Sequence, residues 1–156
     1  MQVTIHVNNL DPTIAKLDRL PILIKGSMKP ALETIGALGS KYFGGVAFQS
    51  KGSMFGKPWA PLAASTLKEK TKAGYRGYPD MVRTKTILDG FDSKLNDTAT
   101  NVTLFNKAPW FVYHQSAEDR KRLPRRVMIG VNASLKTMIR TTVTKAVDAA
   151  VLEAIK

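Results

Sequence analysis

Two histidines and no cysteine limit the chemistry open to this chain of 156 residues. Without thiols there is no cysteine nucleophile, no disulfide and no thiolate metal site, and His6 and His114 are too few for a histidine-rich metal cluster. His114 has two acids near it in sequence, Glu118 and Asp119, and a general base would need such a partner within hydrogen-bond reach. It follows Trp110, Phe111 and Tyr113, however, and precedes Gln115. That setting reads as a hydrogen-bonded structural histidine, and His114 is assigned no catalytic role. Asp89, Asp92 and Asp97 do not keep the spacing of a calcium loop and read as capping and solvating residues. A glycine-rich phosphate loop, a G-x-S-x-G elbow and an H-E-x-x-H helix are all missing. The expectation is a chain with no catalytic residue, cofactor or metal.

What remains is charge and aromatic surface. Lys and Arg number 24 against 12 Asp and Glu, a net charge of +12, and such a field favours polyanions or acidic protein surfaces. The stretch from Lys107 to Gly130 concentrates both features. Trp110, Phe111 and Tyr113 each offer roughly 150–250 Å² for burial, so they must be anchored in a core or an interface. Between Ala117 and Arg126, five basic residues (Arg120, Lys121, Arg122, Arg125 and Arg126) stand against Glu118 and Asp119. This reads as a basic loop over 117–126, solvent-reaching and held at both ends.

The elements that would position these groups follow from periodicity. Gln2 to Val7 alternates, with Val3, Ile5 and Val7 on one face of a strand and His6 on the other. Asp11-Pro12 opens a helical region that runs to about Phe43, and Pro21 and Pro30 predict a kink near Pro30 or a split near Gly26-Ser27. Gly44 to Pro61 loses all periodicity and reads as a long loop, open to ordering on assembly over Gly44 to Gly56 but ordered at its end by Pro58, Trp59 and Pro61. Ser65 to Lys72 predicts a short basic helix capped by Ser65 or Thr66, Ala73 to Asp80 a loop, and Lys85 to Asn96 a short helix around Gly90. Ala99 to Asn106 predicts a strand with Val102 and Leu104 inward. Arg126 to Val131 predicts another strand, and Asn132 caps a long last helix. Its stripe of Leu135, Met138, Ile139, Val143, Ala146, Val147, Ala150, Ala154 and Ile155 must be covered, either by its own sheet and the N-terminal helix or by a neighbouring subunit. One domain over 1–156 follows, of α+β class: a small antiparallel sheet packed by a kinked N-terminal helical region and a long C-terminal helix. No stretch approaches the roughly 20 apolar residues of a membrane span, and MQVTIHVNN is not a signal peptide, so a soluble protein made in the cytoplasm is expected.

Taken in order, these residues carry a family resemblance. Gly56-Lys57-Pro58-Trp59-Ala60-Pro61-Leu62 with Thr66 and Lys70, then Ile87-Leu88 with Gly90, then His114-Gln115, then Leu123-Pro124 with Arg126 and Met128-Ile129-Gly130 resembles the phage virion morphogenesis family, the tail completion proteins. Ser116-Ala117 and Val127 depart from its pattern. The resemblance implies a structural, non-catalytic component of the tail or neck of a tailed-phage particle, assembled in the host cytoplasm and acting in tail completion and head-tail joining. It also implies a ring, commonly of six subunits, in contact with neck, connector and tail proteins, with passing contact to DNA in the channel and none to membrane. Trp59, Pro61, Leu62, Trp110, His114, Gln115, Pro124 and Arg126 are then the structural or interface motif. Trp59 and Trp110 are core aromatics or interface anchors. Arg120, Lys121, Arg122 and Arg125, with Arg126 beside them, are candidates to face an acidic neighbour or DNA. A nucleic-acid-binding protein is the alternative that the charge supports.

Overall fold

The computed structural model describes residues 10–76, 85–116 and 124–156. The predicted strand Gln2–Val7 and the basic residues Arg120, Lys121 and Arg122 lie outside them. Helix α1, Leu10–Tyr42, is laid down by Ile24, Met28, Ala31, Leu32, Ile35 and Gly39. These recur at three and four and are buried or half-buried, which gives the helix one face to cover. It runs without a break through Pro21 and Pro30. Both prolines are exposed, as are Leu17 and Gly26, the residues whose carbonyls lose their usual donors. On that side water can meet the orphaned carbonyls, so the helix survives. The split near Gly26-Ser27 does not occur, and the Ser27 hydroxyl donates back to Leu23 O at 2.8 Å.

Helix α1 passes directly into a π-helical turn, Phe43–Ala47, where a loop is predicted from Gly44. The wider turn brings residues five apart onto one side, and Phe43, Ala47 and Phe48 are all buried there. A 3-10 turn, Ser53–Phe55, and an extended run through Trp59 follow. Within the predicted loop, Phe48 and Trp59 are buried anchors. The short helix α2, Ala64–Lys72, begins at Ala63 with no side-chain cap, so neither Ser65 nor Thr66 caps it. The single turn α3, Thr86–Asp89, stops at Gly90, and the predicted helix from Lys85 to Asn96 is there replaced by strand β1, Phe91–Leu95.

β1 pairs antiparallel with β2, Val102–Asn106, Phe91 standing opposite Asn106 and Leu95 opposite Val102. β2 starts at Val102 and not at Ala99, because Asn96 closes the connecting turn by accepting from Thr100 N at 2.8 Å and Asn101 N at 2.9 Å. Local side-chain bonds of this kind outcompete a ladder. As predicted, Val102 and Leu104 point inward, onto α1. A Cβ on Gly36 would come within 2.5 Å of Ser93 Oγ, and one on Gly39 within 2.7 Å of Leu104 Cδ1. Only glycine lets the sheet lie this close to the helix.

α4, Phe111–Gln115, and α5, Ala133–Ala154, complete the chain. α5 runs antiparallel along α1. Tyr42 meets Asn132 at one end, and Lys16 Nζ donates to Ile155 O at 2.8 Å at the other. The apolar stripe of α5 is therefore covered within the same chain at Leu135, Ala150 and Ala154, while Ile155 remains exposed. Helices against one small antiparallel sheet make this an α+β fold. Asn132 caps α5 as expected, accepting from Leu135 N at 2.9 Å, and its amide also reaches the Tyr42 hydroxyl at 2.9 Å. Asn132→Ala should cost about 1–2 kcal/mol in urea unfolding through loss of the cap alone. A cost near zero would mean that the start of α5 is held by packing only.

Candidate functional site

The stretch from Lys107 to Gly130 is built inward from its aromatic anchor. Phe111 stacks edge-to-face on Phe91 at 5.7 Å, which sets α4 on the core. Gln115, one turn on, then holds the segment 126–130 by its side chain. Its Oε1 accepts from Met128 N at 2.8 Å and from Ile129 N at 3.2 Å, and its Nε2 donates to Ile129 O at 2.5 Å. Arg126 N donates to His114 O at 2.9 Å. The predicted strand over Arg126 to Val131 thus has no strand partner among the described residues: a side-chain amide takes the place of the neighbouring backbone. Apolar β-branched residues gave the run its strand character, while the bonds that satisfy it come from a residue far from it in sequence.

Trp59 closes the other side. It is 7% exposed, stacks edge-to-face on Phe48 at 5.4 Å and donates from Nε1 to Val127 O at 2.9 Å. Gly52 lies beneath it with φ +80°, where a Cβ would come within 2.4 Å of Trp59 Cδ1. That residue must be glycine both for its backbone and for the ring above it. Met128, fully buried, sits between these walls with Phe48, Trp59, Ile87 and Ala108. Arg126 is buried as well, and its Nη2 donates to Ala60 O at 3.0 Å. This corrects the reading of Arg126 as part of a solvent-reaching basic loop, since its guanidinium ties two segments together instead.

The predicted motif residues therefore separate. Trp59, Gln115 and Arg126 form one hydrogen-bonded clamp around Met128, His114 supplies a main-chain acceptor to it from a half-buried position, and Leu62 is half-buried. Trp110 is 44% exposed, so it is no core aromatic. Val112 and Tyr113 on α4 are exposed as well, Tyr113 on the same side as Trp110, and Pro61 and Pro124 are exposed too. Arg125 is exposed, and its Nε reaches Gln115 O at 3.4 Å. Sequence reasoning missed Asn106, which donates to Ile87 O at 2.7 Å and accepts from Ala108 N at 2.9 Å. Its place at the end of a strand, two residues before a buried alanine, was the available signal.

Lys107 Nζ lies 2.5 Å from Asp92 Oδ2 on the surface. That hydrogen bond, with the Ser93 amide, holds the Asp92 carboxyl below the ordinary carboxylate range. A carboxyl whose folded pKa is lowered stabilises the fold above its unfolded pKa, and this contribution is lost as pH falls through the folded value. Because the pair is exposed, Asp92→Asn should produce a small loss at neutral pH that fades as pH falls below the ordinary carboxylate range, and in molar salt, checked by thermal melts across pH. A loss that persists in acid would point to the Ser93 amide contact instead. Among the described residues no three His, Cys, Asp or Glu side chains gather as a metal site, and no helix is long and apolar enough to cross a membrane. Comparison with family models, characterised proteins and solved structures finds no match to this chain.

Proposed function

We propose that this chain is a structural, non-catalytic protein of a tailed phage that completes the tail and joins it to the head. In this reading it stands in the tail or neck of the virion as a ring of its own copies, six being the expected number, after assembly in the host cytoplasm. The observation that carries it is convergence. The pieces of the resemblance are scattered from Gly56 to Gly130, yet Trp59, Ile87, Gln115 and Arg126 meet around a single buried methionine, Met128. Parts of one family pattern would be expected to share one structural unit, and this convergence supports the reading. The clamp they form then presents Trp110, Val112 and Tyr113 on a short, firmly seated helix. Exposed aromatics on a fixed support suit a protein docking face, where tryptophan and tyrosine supply much of the binding energy.

The positive charge of Arg125, with Arg120, Lys121 and Arg122, faces an acidic neighbouring neck, connector or tail protein in this reading, with passing contact to DNA in the channel. A conduit that DNA must traverse gains little from strong phosphate binding. The test is to mix the purified chain with particles that lack it. Docking at the head-tail junction as a ring, with recovery of joined particles, supports the proposal. Trp110→Ala should weaken that docking by at least tenfold while leaving the unfolding midpoint of the free protein unchanged. Failure to dock, together with DNA binding whose affinity falls steeply with salt in filter assays, would replace the proposal with the nucleic-acid-binding reading.

A further inference from the structure

Helix α1 carries its apolar stripe further than the sheet can cover. The β1–β2 sheet seats on α1 at Gly36 and Gly39, where an added Cβ would meet Ser93 and Leu104. Ile14 stands 22 residues before Gly36, about six turns and about 33 Å, so it lies on nearly the same side of the helix. Strands of five residues span only about 17 Å, and the sheet ends well short of it. Ile14 is accordingly 46% exposed, and Ile22 is 75% exposed. Ile14, Asp18, Ile22 and Lys25 recur at four, four and three, which places them on one face, and all four are exposed. Leu17 and Pro21 stand at the edge of that face, where the Leu17 carbonyl keeps its access to water. The bond from Lys16 Nζ to Ile155 O lays the end of α5 alongside, and Val151, Leu152 and Ile155 are exposed there too.

This face is complementary to itself. Asp18 and Lys25 carry opposite charges about 10 Å apart along the axis, with Ile22 between them. A second copy of α1, turned through 180° about an axis between Pro21 and Ile22, sets each Asp18 opposite a Lys25 and brings the two Ile22 side chains together within one residue of the axis. The area is sufficient as well. Full burial of an aliphatic side chain removes on the order of 60–120 Å², so the six exposed aliphatics at this end of α1 and α5, about half exposed each, offer on the order of 300 Å² per copy. Two copies, with the polar rim that makes up roughly two-fifths of an interface, reach about 1,000 Å², the size at which specific contacts begin. We infer that the free protein pairs two-fold through this face of α1, antiparallel, with Ile22 at the axis and Asp18 against the partner's Lys25. The apolar residues give the affinity and the charges fix the register. A foreign partner of one charge would meet its opposite at one of these positions and its like at the other. The contact is isologous, the same surface used twice. It is therefore distinct from the contacts that close a ring and does not rest on the proposed function.

The experiment is sedimentation equilibrium of the full chain over a range of concentrations, in which the mass should rise from one chain to two. Ile22→Lys should weaken pairing at least tenfold and leave the unfolding midpoint of the monomer unchanged, since the side chain is exposed. Asp18→Lys and Lys25→Asp, each alone, set like charges opposite one another and should each weaken pairing at least threefold at low salt. The two exchanges together restore opposite signs, and pairing should return to within twofold of the unchanged protein. An apolar patch that merely adheres would show no such rescue. A monomer at every concentration, pairing that survives Ile22→Lys, or a double exchange that pairs no better than the single ones would each overturn the inference. Pairing that obeys these rules in a chain that never docks on particles would uphold the inference and remove the phage reading. Docking on particles by a chain that stays monomeric in solution would do the reverse.

Discussion

Trp59→Ala should cost about 3–5 kcal/mol in urea unfolding, a large fraction of the 5–15 kcal/mol that typically holds a domain. Two losses add. The indole ring is buried against Phe48 and Met128, so its removal leaves a cavity that the surrounding aromatics cannot fill without moving Gly52 and its left-handed turn. The Nε1 bond to Val127 O goes as well, leaving a half-buried carbonyl without its donor at about 1 kcal/mol. Trp59→Phe separates the two terms, because it keeps most of the ring and loses the bond, and about 1–2 kcal/mol is expected for it. Trp110→Ala gives the contrast: its ring is exposed, and substitution should change the unfolding free energy by no more than about 0.5 kcal/mol. If Trp59→Ala costs under about 1 kcal/mol, Trp59 is not a core anchor and the interface role returns to it.

How far the fold was legible in the sequence depended on how local its causes are. The Asn132 cap and the inward face of Val102 and Leu104 rest on contacts within a few residues or on a simple period of two, and both were read correctly. The stripe of α5 was read from its period, with the N-terminal helix named beside a neighbouring subunit as its cover; α1 covers it within the chain, a choice the period alone could not make because the two helices lie at opposite ends of the sequence. β1 was hidden because Ser93, a polar residue, occupies an inward position. It can do so only because Gly36 opposite it has no side chain. The π-turn was missed since Phe43, Ala47 and Phe48 match no 3.6-residue template, and the glycines between them argued for a loop. Of the kink and the split that Pro21 and Pro30 predicted, the split does not occur, because both prolines lie on an exposed side of α1. The clamp was legible as a set of residues but not as an arrangement. Nothing in the order Trp59, Gln115, Arg126 says that an amide, an indole and a guanidinium will all be used on backbone carbonyls and amides.

Gln115→Leu is the sharpest probe of that arrangement, with an expected cost of about 3–4 kcal/mol. The leucine is of similar size, so packing changes little. What changes is that Met128 N, Ile129 N and Ile129 O all lose this partner, and among the described residues no strand lies beside the segment to take them. Gln115→Asn should lose nearly as much, because the shorter side chain cannot reach both ends of the Ile129 peptide unit. Gln115→Glu keeps the acceptor for the two N–H groups and loses only the donor to Ile129 O, so about 1–2 kcal/mol is expected. The ranking Leu, then Asn, then Glu is specific to an amide that serves as a substitute strand, whereas a glutamine that merely fills space would rank Leu as the mildest of the three. Amide exchange distinguishes these cases without relying on global stability. In Gln115→Leu the amides of Met128 and Ile129 should exchange faster than those of β2, while in the unchanged protein they exchange with the core. Equal protection in both proteins would show that burial alone holds the segment, and the clamp would then carry no part of the support that seats Trp110 and Tyr113 for docking.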